Sequence, residues 1–96
     1  MNNPFAFASD TVNIAVTAIS QALALTAGIG NVMITNIGAQ TVFIKFGNSA
    51  ITVTVSNGYP VLGNSTQAFA KGESTHCAAI AAAAGSTLYS TSGEGI

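Results

Sequence analysis

Charge is what this sequence has least of. Among 96 residues there are two basic and three acidic side chains, Lys45, Lys71, Asp10, Glu73 and Glu94, and no arginine. An ordinary soluble domain carries about a quarter charged residues. With a formal net charge of −1, the chain has no electrostatic footprint for nucleic acid or an anionic membrane surface. Tryptophan is missing, and the one cysteine, Cys77, excludes an intrachain disulfide, so folding needs no oxidising compartment. Long apolar runs are missing too. The longest, Cys77 to Ala84, is far short of the roughly 18 residues of a spanning helix, so no membrane partner is expected. The first residues, Met1-Asn2-Asn3-Pro4, carry neither the basic stretch nor the apolar stretch of a secretory signal, and synthesis in the cytoplasm is the expectation.

Small uncharged polar residues fill the gap left by charge. Thr, Ser, Asn and Gln alternate with Ile and Val, while alanine inflates the 49% hydrophobic content. A free monomer this poor in charge has little to keep it from associating with its neighbours. The composition therefore suits a β-protein whose surface lies largely against other protein. Ninety-six residues make one domain that can bury roughly 60–65% of its extended surface.

Period-2 alternation dominates from Thr11 onward. It predicts strands over 11–18, 21–26, 32–37, 41–46, 51–55, 67–70, 76–82 and 87–91, with turns at Gly28-Ile29-Gly30-Asn31, Gly47-Asn48-Ser49 and Gly85-Ser86. The segment 56–66 reads as the longest break, and 92–96 as a tail. Alanines 78–84 favour helix by propensity. Two turns are too few to stand alone, and the flanking alternation favours a strand. Residues 1–10, with Phe5 and Phe7 on one side of an extended chain, read as an N-terminal arm. Residues 11–96 then form a single all-β domain: an antiparallel β-sandwich or jelly roll of about 7–8 short strands.

Catalysis needs convergent titratable groups. His76 and Asp10 with some serine make a poor triad, because no nucleophile-elbow pattern is present. The carboxylates Asp10, Glu73 and Glu94 fall in the arm, a turn and the tail, as solubilising charges do. His76 and Cys77 are adjacent in a strand, so they point to opposite faces and cannot share a metal. Gly28-x-Gly30 lacks the rest of a dinucleotide fingerprint. No catalytic, metal or cofactor residues are assigned, and the chain is expected not to be an enzyme. Lys45, between Phe43 and Phe46, suits a snorkelling surface lysine or a contact to an acidic neighbour. Tyr59-Pro60, in a loop with Asn57-Gly58 and Asn64, is either an anchor for a partner or a sugar, or an aromatic folded over the end of the barrel. Phe5, Phe7, Asn57, Tyr59, Pro60 and Asn64 are the candidate partner-contact residues.

The hairpin Val32-Met33-Ile34-Thr35-Asn36-Ile37-Gly38-Ala39-Gln40-Thr41-Val42-Phe43-Ile44-Lys45-Phe46-Gly47 resembles one common in small proteins of tailed bacteriophages and prophages. So does Ser74 to Ala81 followed by Gly85 to Gly95. Across most of 31–95 the chain is similar to head decoration, or cement, proteins. That resemblance implies a small β-sandwich oligomer on the outside of a capsid. The implied partners are the major capsid protein and the chain itself, as homodimer or homotrimer, and the implied location is the virion surface. The arm and the loop 57–65 would be the contact elements. A β-domain of a phage tail, fibre or head-fibre attachment protein, and a carbohydrate-binding β-sandwich, are the alternatives.

Overall fold

The computed structural model describes residues 6–7, 11–25, 30–70, 72 and 74–94. Its strands are β1 (Ala6–Phe7), β2 (Val12–Val16), β3 (Gln21–Ala24), β4 (Asn31–Gly38), β5 (Val42–Gly47), β6 (Tyr59–Val61), β7 (Ser65–Ala70), β8 (His76–Ala81) and β9 (Ser86–Glu94). All pairings are antiparallel. One sheet runs β1-β9-β4-β7 with β2 also on β9, and the other runs β3-β8-β5-β6. The order β2-β9-β4-β7 facing β3-β8-β5-β6 is the double Greek key of a jelly roll. The sandwich expected from alternation is the fold that forms, with β1 as an extra short strand.

Alternation places the core. Residues that pair across an antiparallel ladder share a face. Val32 and Ile34 of β4, Val42 and Ile44 of β5, Val16 of β2, Leu88 of β9 and Val61 of β6 therefore converge between the sheets. Cys77, Ala79 and Ala81 of β8 join them. Burying a Val, Ile or Leu side chain of this kind contributes about 1.5–3 kcal/mol. The inner face of β9 is polar by comparison, since Ser86, Ser90 and Ser92 are all buried. Asn36 is buried as well, and its Nδ2 donates to the Gln40 carbonyl at 2.8 Å and the Val61 carbonyl at 2.9 Å. One amide thus ties β4, the β4–β5 turn and β6 together. At that end Gly38 has φ 137°, and a Cβ there would stand 2.6 Å from Ser86 Oγ. Only glycine suits such a position.

Four expectations need correction. The strand expected over 51–55 forms no ladder. The chain there keeps its alternation, with Val53 buried between exposed Thr52 and Thr54. Its backbone is instead held locally: Val53 N donates to Ser20 Oγ at 3.0 Å and Thr54 N to Asn57 Oδ1 at 2.8 Å. Second, the break expected over 56–66 contains β6, which pairs Tyr59, Pro60 and Val61 with Ile44, Phe43 and Val42. Proline is disfavoured inside a sheet, but β6 is an edge strand, where a missing N–H is tolerated. Third, β7 starts at Ser65 rather than Gln67. Fourth, the expected tail is partly strand, because β9 continues through Ser92 and Gly93 to Glu94. The alanine block is strand as far as Ala81, as expected.

Segment 48–58 lies on the outer face of the four-stranded sheet. Phe43, Ala78 and Ile80 point outward there, opposite to Val42, Cys77 and Ala79. A Cβ on Gly58 would meet Val53 Cγ2 at 2.6 Å and Phe43 Cβ at 2.7 Å. Val53 is thus close to β5, while its amide reaches Ser20 beside β3, so it passes over β8 between them. It is 2% exposed yet lies outside the inner core, and Ala78 on the same outer face is fully buried. The flat surface that alanine leaves is filled by the chain's own loop.

Candidate contact surfaces

The outer face of the five-stranded sheet is built differently. Register and alternation direct Thr87, Tyr89 and Thr91 of β9, Met33, Thr35 and Ile37 of β4, Thr66, Ala68 and Ala70 of β7, and Asn13 and Ala15 of β2 outward. No charged residue is among them. Threonines pair across strands: Thr35 Oγ1 and Thr66 Oγ1 are 3.0 Å apart, and Thr11 and Thr91 hydroxyls are also bonded. The result is an uncharged face of threonine hydroxyls and apolar side chains, Met33, Ile37 and Tyr89 among them, half-buried or exposed along its whole width.

A second surface lies where β6 and β7, the edge strands of opposite sheets, meet. Tyr59 is 51% exposed. Gln67 Nε2 donates to its hydroxyl at 2.8 Å, and its ring stands edge-on to Phe69, centroids 5.5 Å apart at 84°. Phe69 also contacts Phe46 at 5.6 Å. This cluster seals the gap between the sheet edges, and Leu62, 63% exposed, directly follows β6.

The sequence-derived contact residues divide accordingly. Tyr59 and Pro60 are strand residues at an exposed edge. Asn57 Oδ1 is engaged by Thr54 N, closing a turn. Asn64, at φ 56°, accepts from Gly38 N at 3.1 Å, joining two turns at one end of the sandwich. Both asparagines have a structural task, although both are exposed. Phe5 lies outside the described residues. Phe7 pairs with Gly93 in β1, and its side chain lies outside the described residues. Sequence reasoning missed Gln67 and Phe69 as partners of Tyr59. Their i, i+2 spacing put them on one strand face, but nothing local linked that face to Tyr59.

Chemistry elsewhere is sparse. Among the described residues no group of three or more His, Cys, Asp or Glu converges. His76 and Cys77 face opposite ways, His76 Nδ1 lying 2.9 Å from Thr75 Oγ1. Burial pushes the Cys77 thiol up to about 12, against a smaller lowering by a backbone hydrogen bond at Lys45. Such a thiol is a poor nucleophile. Among the described residues no helix is long and apolar enough to cross a membrane.

No protein-family model matches the chain, and no curated protein matches it. Solved structures share its fold. A protein of Bacillus endospore appendages, described as disulfide-linked pili, is 17% identical with a TM-score of 0.52, over 96% of this chain and 93% of that one. A de novo designed double-stranded β-helix is 7% identical with a TM-score of 0.54, over 90% of this chain and all of the other. PirA is 14% identical with a TM-score of 0.51, over 91% and 96%.

Proposed function

We propose that this chain is a structural virion protein that binds the outside of a bacteriophage capsid and stabilises the shell by bridging major capsid protein subunits. The observation that carries the reading is the outer face of the five-stranded sheet. It spans the strands of that sheet, and it can be covered without desolvating a charge, a cost that falls on every buried ion. The resemblance of residues 31–95 to decoration proteins supplies the partner.

The mechanism is mechanical. A shell filled with DNA is under outward pressure. A subunit seated across two capsid proteins adds its interfaces to those that must break before the shell opens. An oligomer engaging several sites holds on by effective concentration, well beyond the strength of one contact. Residues 6 and 7 of the arm pair with the far end of β9. No catalytic step belongs to this reading, and the location it implies is the virion surface.

Purified chain added to capsids that lack it tests the proposal. Regular density over the shell in electron microscopy, with a raised temperature of shell disruption, is expected. Density confined to the tail or vertices would instead favour a fibre-attachment domain. Absence of co-sedimentation with the shell would overturn the proposal.

A further inference from the structure

The four sheet edges are not equally protected. An unpaired edge offers a row of N–H and C=O groups to any incoming strand, and proteins blunt such edges with proline, charge, interruptions or cover. The β6 edge carries Pro60. The four-residue β3 edge is flanked at its start by the Ser20–Val53 hydrogen bond. On the β1/β2 side the register slips by two residues between Phe7↔Gly93 and Val12↔Ser90, so that edge is interrupted. Among the described residues the β7 edge has none of these devices along its length, and the nearest charge in sequence, Lys71, follows its last residue. Its residues, Ser-Thr-Gln-Ala-Phe-Ala, pair continuously with β4 and include neither proline nor charge.

We infer that β7 is a self-association edge, pairing antiparallel with β7 of a second copy about a two-fold axis normal to the sheet. A strand is the occupant because only a strand satisfies a row of alternating backbone groups. A second copy is the partner because an antiparallel pair of identical strands is self-complementary, closing with no further surface needed. The five-stranded sheets of the two copies become one continuous sheet, and the uncharged face proposed to meet the shell doubles in width. Tyr59, exposed against Gln67 and Phe69 of β7, comes under cover of the partner. This pairing builds on the proposed function but does not depend on a shell, so its test needs none.

Light scattering coupled to size exclusion, run over a broad dilution series, reads the mass. A dimer is expected, with slowed amide exchange in β7 that dilution reverses. Thr66→Lys with Ala70→Lys puts four like charges on the joint and is expected to give a folded monomer. Ala15→Lys, on the outer face of β2, is expected to remain a dimer. A wild-type monomer at every concentration, an open-ended polymer, or a double-lysine variant of unchanged mass would each overturn the inference. The amide-exchange result on the wild-type chain stands even where the double variant fails to fold. A monomeric double variant that still binds capsids would leave the shell reading intact.

Discussion

The two outward faces of this jelly roll began from similar material and ended differently. Both sheets turn alanine outward, beside Phe43, Lys45 and Ile80 on the four-stranded sheet and beside a row of threonines on the five-stranded one. Over the first, the chain folds segment 48–58, with Val53 packed near Phe43 and its amide fixed by Ser20. Over the second, threonine hydroxyls bond to one another across strands. A covered face costs chain length and ordering entropy and yields stability. A bare face yields none and is free for a partner. The low charge has a different meaning on each. On one side it permits internal burial, and on the other it leaves a surface whose burial awaits another molecule.

The largest expected effect comes from pH, because it interrogates the inner side of β8. The folded state holds the Cys77 proton up to about 12, whereas an unfolded thiol releases it near 9. Between these values the folded state binds more protons, so stability falls as pH rises, by up to ~1.4 kcal/mol per unit. Denaturation midpoints measured from pH 8 upward are expected to drop steeply, and a Cys77→Ala variant to drop less. Equal slopes would mean that the thiol is not sealed.

Next in size is a pair of matched enlargements. Ala78→Leu, beneath the covered face, must displace packed atoms and is expected to cost about 1–3 kcal/mol. Ala15→Leu, on the bare face, is expected to stay within ~0.5 kcal/mol. Urea unfolding compares them, and similar losses would erase the distinction between the faces. Removing the cover from above comes third. Val53→Ala deletes two buried methyl groups, about 1.6 kcal/mol by transfer. It is expected to speed Cys77 labelling by a thiol reagent if β8 opens through this face. Ser20→Ala, which strands the Val53 amide, is expected to cost about 1 kcal/mol.

Alternation made most of the ladder legible in the sequence, because a half-buried strand writes its two faces into every second residue. It also misled at 51–55. That segment has an inside and an outside like a strand, but its inside is the back of another sheet, and alternation carries no information about hydrogen-bond partners. Pro60 hid β6 for the opposite reason: local chemistry forbade a central strand, and only the tertiary position at an edge makes it acceptable. The same holds at the candidate site. Tyr59 was visible as an aromatic among turn residues, whereas Gln67 and Phe69 join it only because β6 and β7, consecutive strands, belong to opposite sheets whose edges meet. The free edge at β7 could not be read at all, since being an edge is a property of strand order.

The smallest expected effect is the most direct probe of the bare face. Thr35→Val keeps shape and β-propensity and removes one hydroxyl from the Thr35–Thr66 pair. Both groups are reachable by solvent, so Thr66 recovers its lost partner in water, and isolated stability is expected to change by less than ~0.5 kcal/mol. When the face is covered by a partner, that water is gone. The surviving Thr66 hydroxyl must then be satisfied across the interface or be left buried alone, at a cost of about 1–3 kcal/mol. The same substitution is therefore expected to be silent in thermal unfolding of the free chain and visible as weaker binding to capsids. A variant silent in both measurements would place the shell contact on some other surface.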